Sequence, residues 1–335
     1  MERITIIGMG PIGVSIGLAL MKAKLKTTEI VGSSGDRDAL STASKIGAMD
    51  QAESNLRSAV RGASLIVLDL PLSQTKEILD AIAPIVESDA VITDTGTTKV
   101  RIAEWAEEVL PKGVSYVGGH PLIKRSLNGM EDSAAELFQG VDYPIMPSKS
   151  ATKESVKTVV GMVELLGAKP LFLDPHEHDS YSIAMEVLPI VLSSALVTST
   201  ASSPSWREMH RLGASEYEHF TKLANSDPLD NEAECIANAE PLVHWIDEYI
   251  AALYQFRKKI AEKEEDLFEL FINAWEERAK WEFDAVIPDD SQKLPSANQS
   301  LASAFLGERL LNRYKQMTGG NEKKSKSWEY RRRDG

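Results

Sequence analysis

Cysteine is nearly absent from this chain: Cys235 is the single one among 335 residues. No disulfide can form within the chain and no cysteine-based metal site can be built from it, which fits a reducing, cytoplasmic setting. Positive charge is short as well. Lys and Arg number 37 against 50 Asp and Glu, a net charge of −13, and that balance argues against a nucleic-acid-binding body. Clean apolar runs of membrane-spanning length are missing. The most apolar stretch, residues 183–201, carries Glu186, Pro189 and several Ser and Thr, so it is expected as a buried helix and not as a membrane span. The N-terminal apolar segment reads as a strand broken by three glycines, so no secretory signal is expected.

What is present is an alternation. Strand-like runs at residues 3–7, 28–32, 65–70, 90–94, 114–118, 143–146 and 169–173, with a short one at 48–50, are interleaved with helical patterns at 12–23, 38–45, 74–85, 98–108 and 153–166. That pattern predicts an α/β Rossmann-type, doubly wound sheet with helices on both faces, over residues 1–174. From 175 to 317 only helical segments are found, and residues 234–257 hold apolar side chains at helical spacing. An all-α domain of this kind often buries its apolar faces against a second copy, so a homodimer is expected, the alternative being a monomer with a self-contained helical domain. Residues 318–335 hold Lys323, Lys324, Lys326, Arg331, Arg332 and Arg333 and are expected as a disordered, solvated basic tail. No regulatory domain is seen after Met317, no internal repeat is found, and no metal site is expected.

The strand at 3–7 runs directly into Gly8-Met9-Gly10-Pro11-Ile12-Gly13 and then a helix. This is G-x-G-x-x-G in the context the motif needs. Gly8 permits the tight turn, Gly10 lets backbone approach a pyrophosphate, and Gly13 lets helix and strand pack closely. Pro11 and Ile12 open the helix, whose N-terminal N–H groups face the anion. Leu70 and Pro71, which close the apolar run at 65–70, are counted with the same cofactor site. The end of the second strand chooses the cofactor: an acid there binds the ribose of NAD and repels the extra phosphate of NADP. Here Ser33 and Ser34 follow the strand and Arg37 is near, which suits a phosphate and favours NADP. NAD stays possible, because Asp36 becomes the ribose acid if the strand runs two residues further.

Three segments carry candidate chemistry. They are Asp94-Thr95-Gly96-Thr97-Thr98-Lys99 at the end of a strand; Gly118-Gly119-His120-Pro121-Leu122 after another; and, in the helical half, His178-Asp179, Val187-Leu188-Pro189-Ile190 and Phe220-Thr221-Lys222 through Asp227-Pro228. In this order the chain resembles the prephenate and arogenate dehydrogenases of tyrosine biosynthesis over residues 3–253. The resemblance implies a Rossmann domain followed by a helical dimerisation domain. It also implies oxidative decarboxylation of a cyclohexadienyl substrate with hydride transfer to NAD or NADP. Such a reaction needs a base for the ring hydroxyl, and histidine is the usual base near neutral pH. His120 matches the histidine of the family's Gly-x-His-Pro motif and is the expected base. Thr97 matches a serine that orients it and touches substrate. Asp94 is placed with the cofactor and Lys99 beside it, against a reading of both as capping and surface charge.

The substrate carries carboxylates, so the pocket needs cations. Lys222 matches a family arginine, without its bidentate fork. Lys124 and Arg125 stand where the family has smaller residues, and are either new pocket cations or solvated loop side chains. Glu186-Val187-Leu188-Pro189-Ile190 replaces a segment in which many members carry two histidines. Ile190 there resembles the arogenate-using enzymes, and Glu186 is a candidate partner for a substrate ammonium or else an interhelix residue. His219, three residues before Lys222, shares its helix face and is counted with the pocket. His176 and His178 are read as part of an acid-rich helix start, and His210 and His244 as surface or interface residues. The alternatives kept open are a dehydrogenase of another cyclic or branched hydroxy acid, and a non-catalytic dinucleotide-binding protein on the same scaffold.

Overall fold

The computed structural model describes residues 2–127, 129–263 and 266–283. The expected basic tail at 318–335, and the helical expectation beyond residue 283, lie outside the described residues. The described residues fall into two compact units, divided after residue 252.

The first unit opens with a Rossmann-type sheet. Strands β1 (Glu2–Ile7), β2 (Thr28–Ser33), β3 (Gln51–Ala52), β4 (Leu65–Leu68), β5 (Val91–Asp94), β6 (Ser115–Gly119), β7 (Asp142–Pro147) and β8 (Lys169–Phe172) stand in the order β3-β2-β1-β4-β5-β6-β7-β8. All neighbours are parallel except β6 and β7. The third strand lies at 51–52, just past the expected 48–50. Interior strands covered on both faces are apolar without alternation, and Leu65-Ile66-Val67-Leu68 of β4 is buried at every position. Helices α1 (Pro11–Ala23), α2 (Arg37–Lys45), α3 (Leu56–Val60), α4 (Leu72–Ile82), α5 (Val100–Val109) and α6 (Lys153–Leu165) connect the strands. One core holds Val14, Ile16 and Leu20 of α1 with Val159 and Val163 of α6 against Ile4, Ile6 and Val67. The other holds Val60, Leu79, Ile82, Ile102 and Ala106 against Ile7, Ile66 and Ile92. Each face of the sheet is therefore covered.

After β8 only helices are described. They are α7 (Pro175–Ser182), α8 (Leu188–Ala201), α9 (Trp206–Met209), α10 (Ser215–Thr221), α11 (Pro228–Ala237), α12 (Ala239–Glu262) and α13 (Leu267–Glu282). A π-helical turn, Ile183–Val187, joins α7 to α8. The expectation of one buried helix over 183–201 is corrected here: in α8 only Ser193 is buried within the chain, although Pro175–Ala201 is long and apolar enough to cross a membrane. Met185, Ile236, Val243 and Ile250 are exposed as well. A small cluster of Ile183, Val187 and Leu242 with Cys235 and Ile246 packs α11 and α12 against the π turn. In the second unit, Phe256 and Phe271 meet edge to face at 5.2 Å.

Candidate active site

The glycine loop lies between β1 and α1, at the point where the strand order reverses between β1 and β4. Gly8 has φ +102°, and a Cβ on it would stand 1.8 Å from the Asp69 carbonyl oxygen. A Cβ on Gly13 would stand 2.4 Å from the Gly8 carbonyl oxygen. No side chain fits at either position. Gly10 caps α1 with no capping side chain of its own and Pro11 follows at its first position, so the helix N-terminus favours an anion beside it. This cradle fits the pyrophosphate of a dinucleotide. One feature went unforeseen: Asp69, directly after β4, accepts from Gly13 N at 2.7 Å and from Thr95 Oγ1 at 2.7 Å. Burial raises its carboxyl above the ordinary range, against the pull of these donors. An acid closing an otherwise apolar strand at the carboxyl edge was the signal available. Leu70 is half-buried and Pro71 exposed at the start of α4.

Strand β2 ends at Ser33, one residue beyond the expected end, and Ser33 is buried. Asp36 lies outside the strand. Its Oδ1 accepts from Asp38 N and Ala39 N and so caps α2. Ser34 Oγ accepts from Asp36 N at 3.1 Å, and Arg37 is exposed.

Asp94 was expected at the cofactor; the structure turns it inward. Its Oδ1 accepts from Tyr116 Oη at 2.8 Å and Gly119 N at 3.2 Å, and its Oδ2 from Gly96 N at 3.1 Å and from Lys99 Nζ. Lys99 also donates to Gly119 O at 2.9 Å, and its side chain is 1% exposed. This buried pair ties the ends of β5 and β6 together. Burial and the neighbouring Asp94 carboxylate push the Tyr116 phenol up, so it stays a donor.

Three consecutive residues after β5 each bind one acid from the helical half. Thr97 Oγ1 donates to Glu186 Oε2 at 3.0 Å, Thr98 Oγ1 to Glu234 Oε2 at 2.5 Å, and Lys99 N to Asp179 Oδ1 at 2.8 Å. Val100 N donates to Asp179 Oδ2 at 2.8 Å, so Asp179 caps α5. His178 Nδ1 stands 3.0 Å from Asp179 Oδ1, and His178 Nε2 stands 2.9 Å from His120 Nδ1. His120 Nε2 reaches Glu186 Oε1 at 3.4 Å. His178, read from the sequence as an acid-rich helix start, is thus buried against the candidate base. Its adjacent acid was visible in the sequence, but its burial was not.

The chemistry of this chain is directional. Burial is the largest influence on His178 and lowers its imidazole, which the Asp179 hydrogen bond opposes. A neutral His178 donates from Nδ1 to the Asp179 carboxylate and leaves Nε2 as an acceptor. His120 must then donate from Nδ1, which leaves its Nε2 lone pair toward Glu186. Burial raises the Glu186 carboxyl, but a proton on His120 Nε2, donated to Glu186, and the Thr97 hydroxyl outweigh it and hold Glu186 below its ordinary range. A proton taken up by His120 Nε2 would therefore sit against a carboxylate.

A cavity of about 530 Å³ opens beside this chain. Thr97, Lys124, Arg125, Glu186, Pro189 and Ile190 line it together with Asp230, Asn231 and Glu234. Arg125 also donates to Asp132 O at 2.7 Å. Lys222 and His219 were expected here. Both are exposed, on α10 and the 3-10 turn after it, and it is the adjacent Leu223 that lines the cavity. Glu234 was missed. Desolvation pushes its carboxyl up to about 7, with the Thr98 hydrogen bond opposing. Among the described residues no cluster suited to a metal ion occurs.

Residues 16–171 match the family model "Prephenate dehydrogenase, nucleotide-binding domain" and residues 174–273 match "Prephenate dehydrogenase, dimerization domain". The chain is 30% identical over 278 residues to a prephenate dehydrogenase of Lactococcus lactis subsp. cremoris, covering 81% of this chain and 75% of that one. It is 27% identical over 271 residues to a cyclohexadienyl dehydrogenase of Zymomonas mobilis, covering 79% and 90%. Among solved structures, the prephenate dehydrogenase of A. aeolicus in complex with hydroxyphenyl propionate and NAD+ superposes with a TM-score of 0.73 at 25% identity, covering 84% of this chain and 98% of that one.

Proposed function

The chain belongs to the prephenate dehydrogenase family, and from that premise we propose that it oxidatively decarboxylates a cyclohexadienyl substrate, arogenate or prephenate, with His120 as the base. The supporting observation is the hydrogen-bond chain Asp179–His178–His120–Glu186–Thr97, whose last two members line the cavity; with His178 donating to Asp179, His120 Nδ1 is the donor and Nε2 the nitrogen free to act as base. Nε2 takes the proton of the ring hydroxyl, and the resulting imidazolium is held by Glu186. As that O–H bond breaks, a carbonyl forms at the ring carbon and its hydrogen leaves as hydride. Loss of carbon dioxide from the opposite ring carbon then sends its electron pair into the ring, and the aromatic phenolate that results takes the proton back from His120. A bound nicotinamide supplies the hydride acceptor. Thr97 fixes Glu186 from the other side. Lys124 and Arg125 supply positive charge for substrate carboxylates, with Lys222 and His219 as further candidates from α10 and its following turn.

For the cofactor, Gly8, Gly10, Pro11, Ile12 and Gly13 are the proposed pyrophosphate cradle, flanked by Leu70 and Pro71. NADP is the favoured dinucleotide, since Ser33, Ser34 and Arg37 follow β2 while the Asp36 carboxylate is engaged in capping α2. A homodimer is proposed on the exposed apolar side chains of α11 and α12, the half-buried ones of α8, and the match to a dimerization domain. The proposed functional division stays at residue 174, and the proposed compartment is the cytoplasm.

The test mixes the protein with NADP or NAD and each of arogenate and prephenate, and follows reduced-nicotinamide absorbance. Turnover is expected with at least one pair. His120→Ala should abolish it while leaving dinucleotide binding intact. Turnover that survives in the variant removes His120 from the role of base, and no turnover by the wild-type protein with any pair overturns the dehydrogenase reading.

A further inference from the structure

The cavity is not uniformly cationic, as a site for a substrate bearing only carboxylates would be. Lys124 and Arg125 come from the loop after β6, whereas Asp230, Asn231 and Glu234 come from α11. Of these acids, Glu234 is held in a defined way. Asn238, itself buried, donates from Nδ2 to Thr98 Oγ1 at 2.6 Å. The Thr98 hydroxyl, already accepting, turns its proton to Glu234 Oε2 at 2.5 Å. Glu234 Oε1 has no hydrogen-bond partner among the described residues. Asp230, one helical turn before it, accepts from Ser73 N at 3.1 Å through Oδ1. Glu186, the third acid on the cavity, already serves Thr97 and His120. A ligand that reaches α11 therefore meets a carboxylate oxygen that accepts and does not donate once ionised.

Which substrate side chain suits that oxygen follows from the two candidates. A keto-acid side chain presents acceptors only, and would set lone pairs against lone pairs. An amino-acid side chain presents an ammonium with three donors beside a carboxylate. We propose that Glu234 is a specificity-determining residue of this site: its free Oε1 accepts from a substrate ammonium while Lys124 and Arg125 neutralise the adjoining carboxylate, so that the enzyme selects an amino-acid side chain over a keto-acid side chain. This rests on the dehydrogenase reading above for the identity of the site. It moves ammonium recognition from Glu186, where the sequence put it, to α11.

The discriminating substitution is Glu234→Gln. The glutamine carbonyl can still accept from Thr98, and its amide then presents donors to the ligand, which reverses the polarity that the cavity shows. At about pH 8, where Glu234 is ionised, the wild-type protein should prefer arogenate over prephenate in kcat/KM by about tenfold or more, the worth of one charge-assisted hydrogen bond. In Glu234→Gln that ratio should fall by about tenfold, mainly through KM for arogenate. Glu234→Asp should keep part of the preference. An independent arm measures calorimetric binding of the two aromatic products, L-tyrosine and 4-hydroxyphenylpyruvate, to the protein with oxidised cofactor. The amino acid should bind more tightly to the wild-type protein, and Glu234→Gln should erase the difference. A wild-type protein that turns over neither substrate, yet still binds tyrosine in a Glu234-dependent way, overturns the dehydrogenase reading and leaves this one standing. A wild-type preference for the keto acid, or ratios in both arms that Glu234→Gln leaves unmoved, overturns this inference.

Discussion

Replacing Lys99 by methionine asks how strongly the Asp94–Lys99 pair holds the sheet under the site. Methionine keeps most of the buried volume and removes only the charge. In the native protein Lys99 Nζ donates to Asp94 and to Gly119 O, and the lysine side chain is 1% exposed. Without it Asp94 keeps only neutral donors: Tyr116 Oη, Gly119 N and Gly96 N. Breaking one side of a buried ion pair typically costs about 3–5 kcal/mol. For a unit of 252 residues that is a fall in Tm of about 6–10 °C.

Thermal melts of both proteins at neutral pH read this directly. Asp94→Asn combined with Lys99→Met should recover most of the loss, since neither charge is then stranded. A deficit below about 1 kcal/mol, or one that the double substitution leaves unchanged, would refute the reasoning.

Two further substitutions bear on the nucleotide end. Gly13→Ala places a Cβ 2.4 Å from Gly8 O and 2.8 Å from Asp69 Oδ2; the strain should cost about 1–3 kcal/mol in chemical denaturation and weaken dinucleotide binding about tenfold or more in a fluorescence titration. Asp69→Asn keeps an acceptor for Gly13 N while removing a negative charge beside the pyrophosphate cradle. Because burial raises the Asp69 carboxyl, wild-type affinity for the dinucleotide should fall as pH rises and Asp69 ionises. The variant should bind more tightly by about 1–3 kcal/mol at high pH, with little pH dependence. Equal pH profiles for the two proteins would show that Asp69 does not oppose the cofactor.

The sheet was legible because its strands announce themselves locally. Runs such as Leu65-Ile66-Val67-Leu68 are buried on both faces and need no partner to be recognised. Helix boundaries were less legible in the second half. The apolar stripe read as helical over residues 234–257 is broken at Asn238, whose side chain reaches across to Thr98; nothing in local periodicity reports a hydrogen bond between residues 140 apart. The same limit hid Asp69 and Glu234. Read locally they are a strand-end acid and a helix-surface acid, and only the fold supplies the donors that define them. Thr97, His120 and Glu186 were visible as members of motifs, yet their relation to one another was not.

That relation explains why chemistry appears at this edge of the sheet. Thr97, Thr98 and Lys99 are adjacent in sequence, and each is bound by an acid from a different helical segment: Glu186 from the π turn, Glu234 from α11 and Asp179 from α7. Buried acids demand donors, and the loop after β5 offers three in a row. Meeting that demand docks the helices on the sheet, and the docking itself builds the cavity and aligns His178 behind His120. The contacts that hold the helical half in place are therefore the contacts that aim the base. A substitution at Asp179 should not lower stability and leave the reaction untouched, because the carboxylate that caps α5 is also the one that sets the tautomer of His178, and through it the free nitrogen of His120.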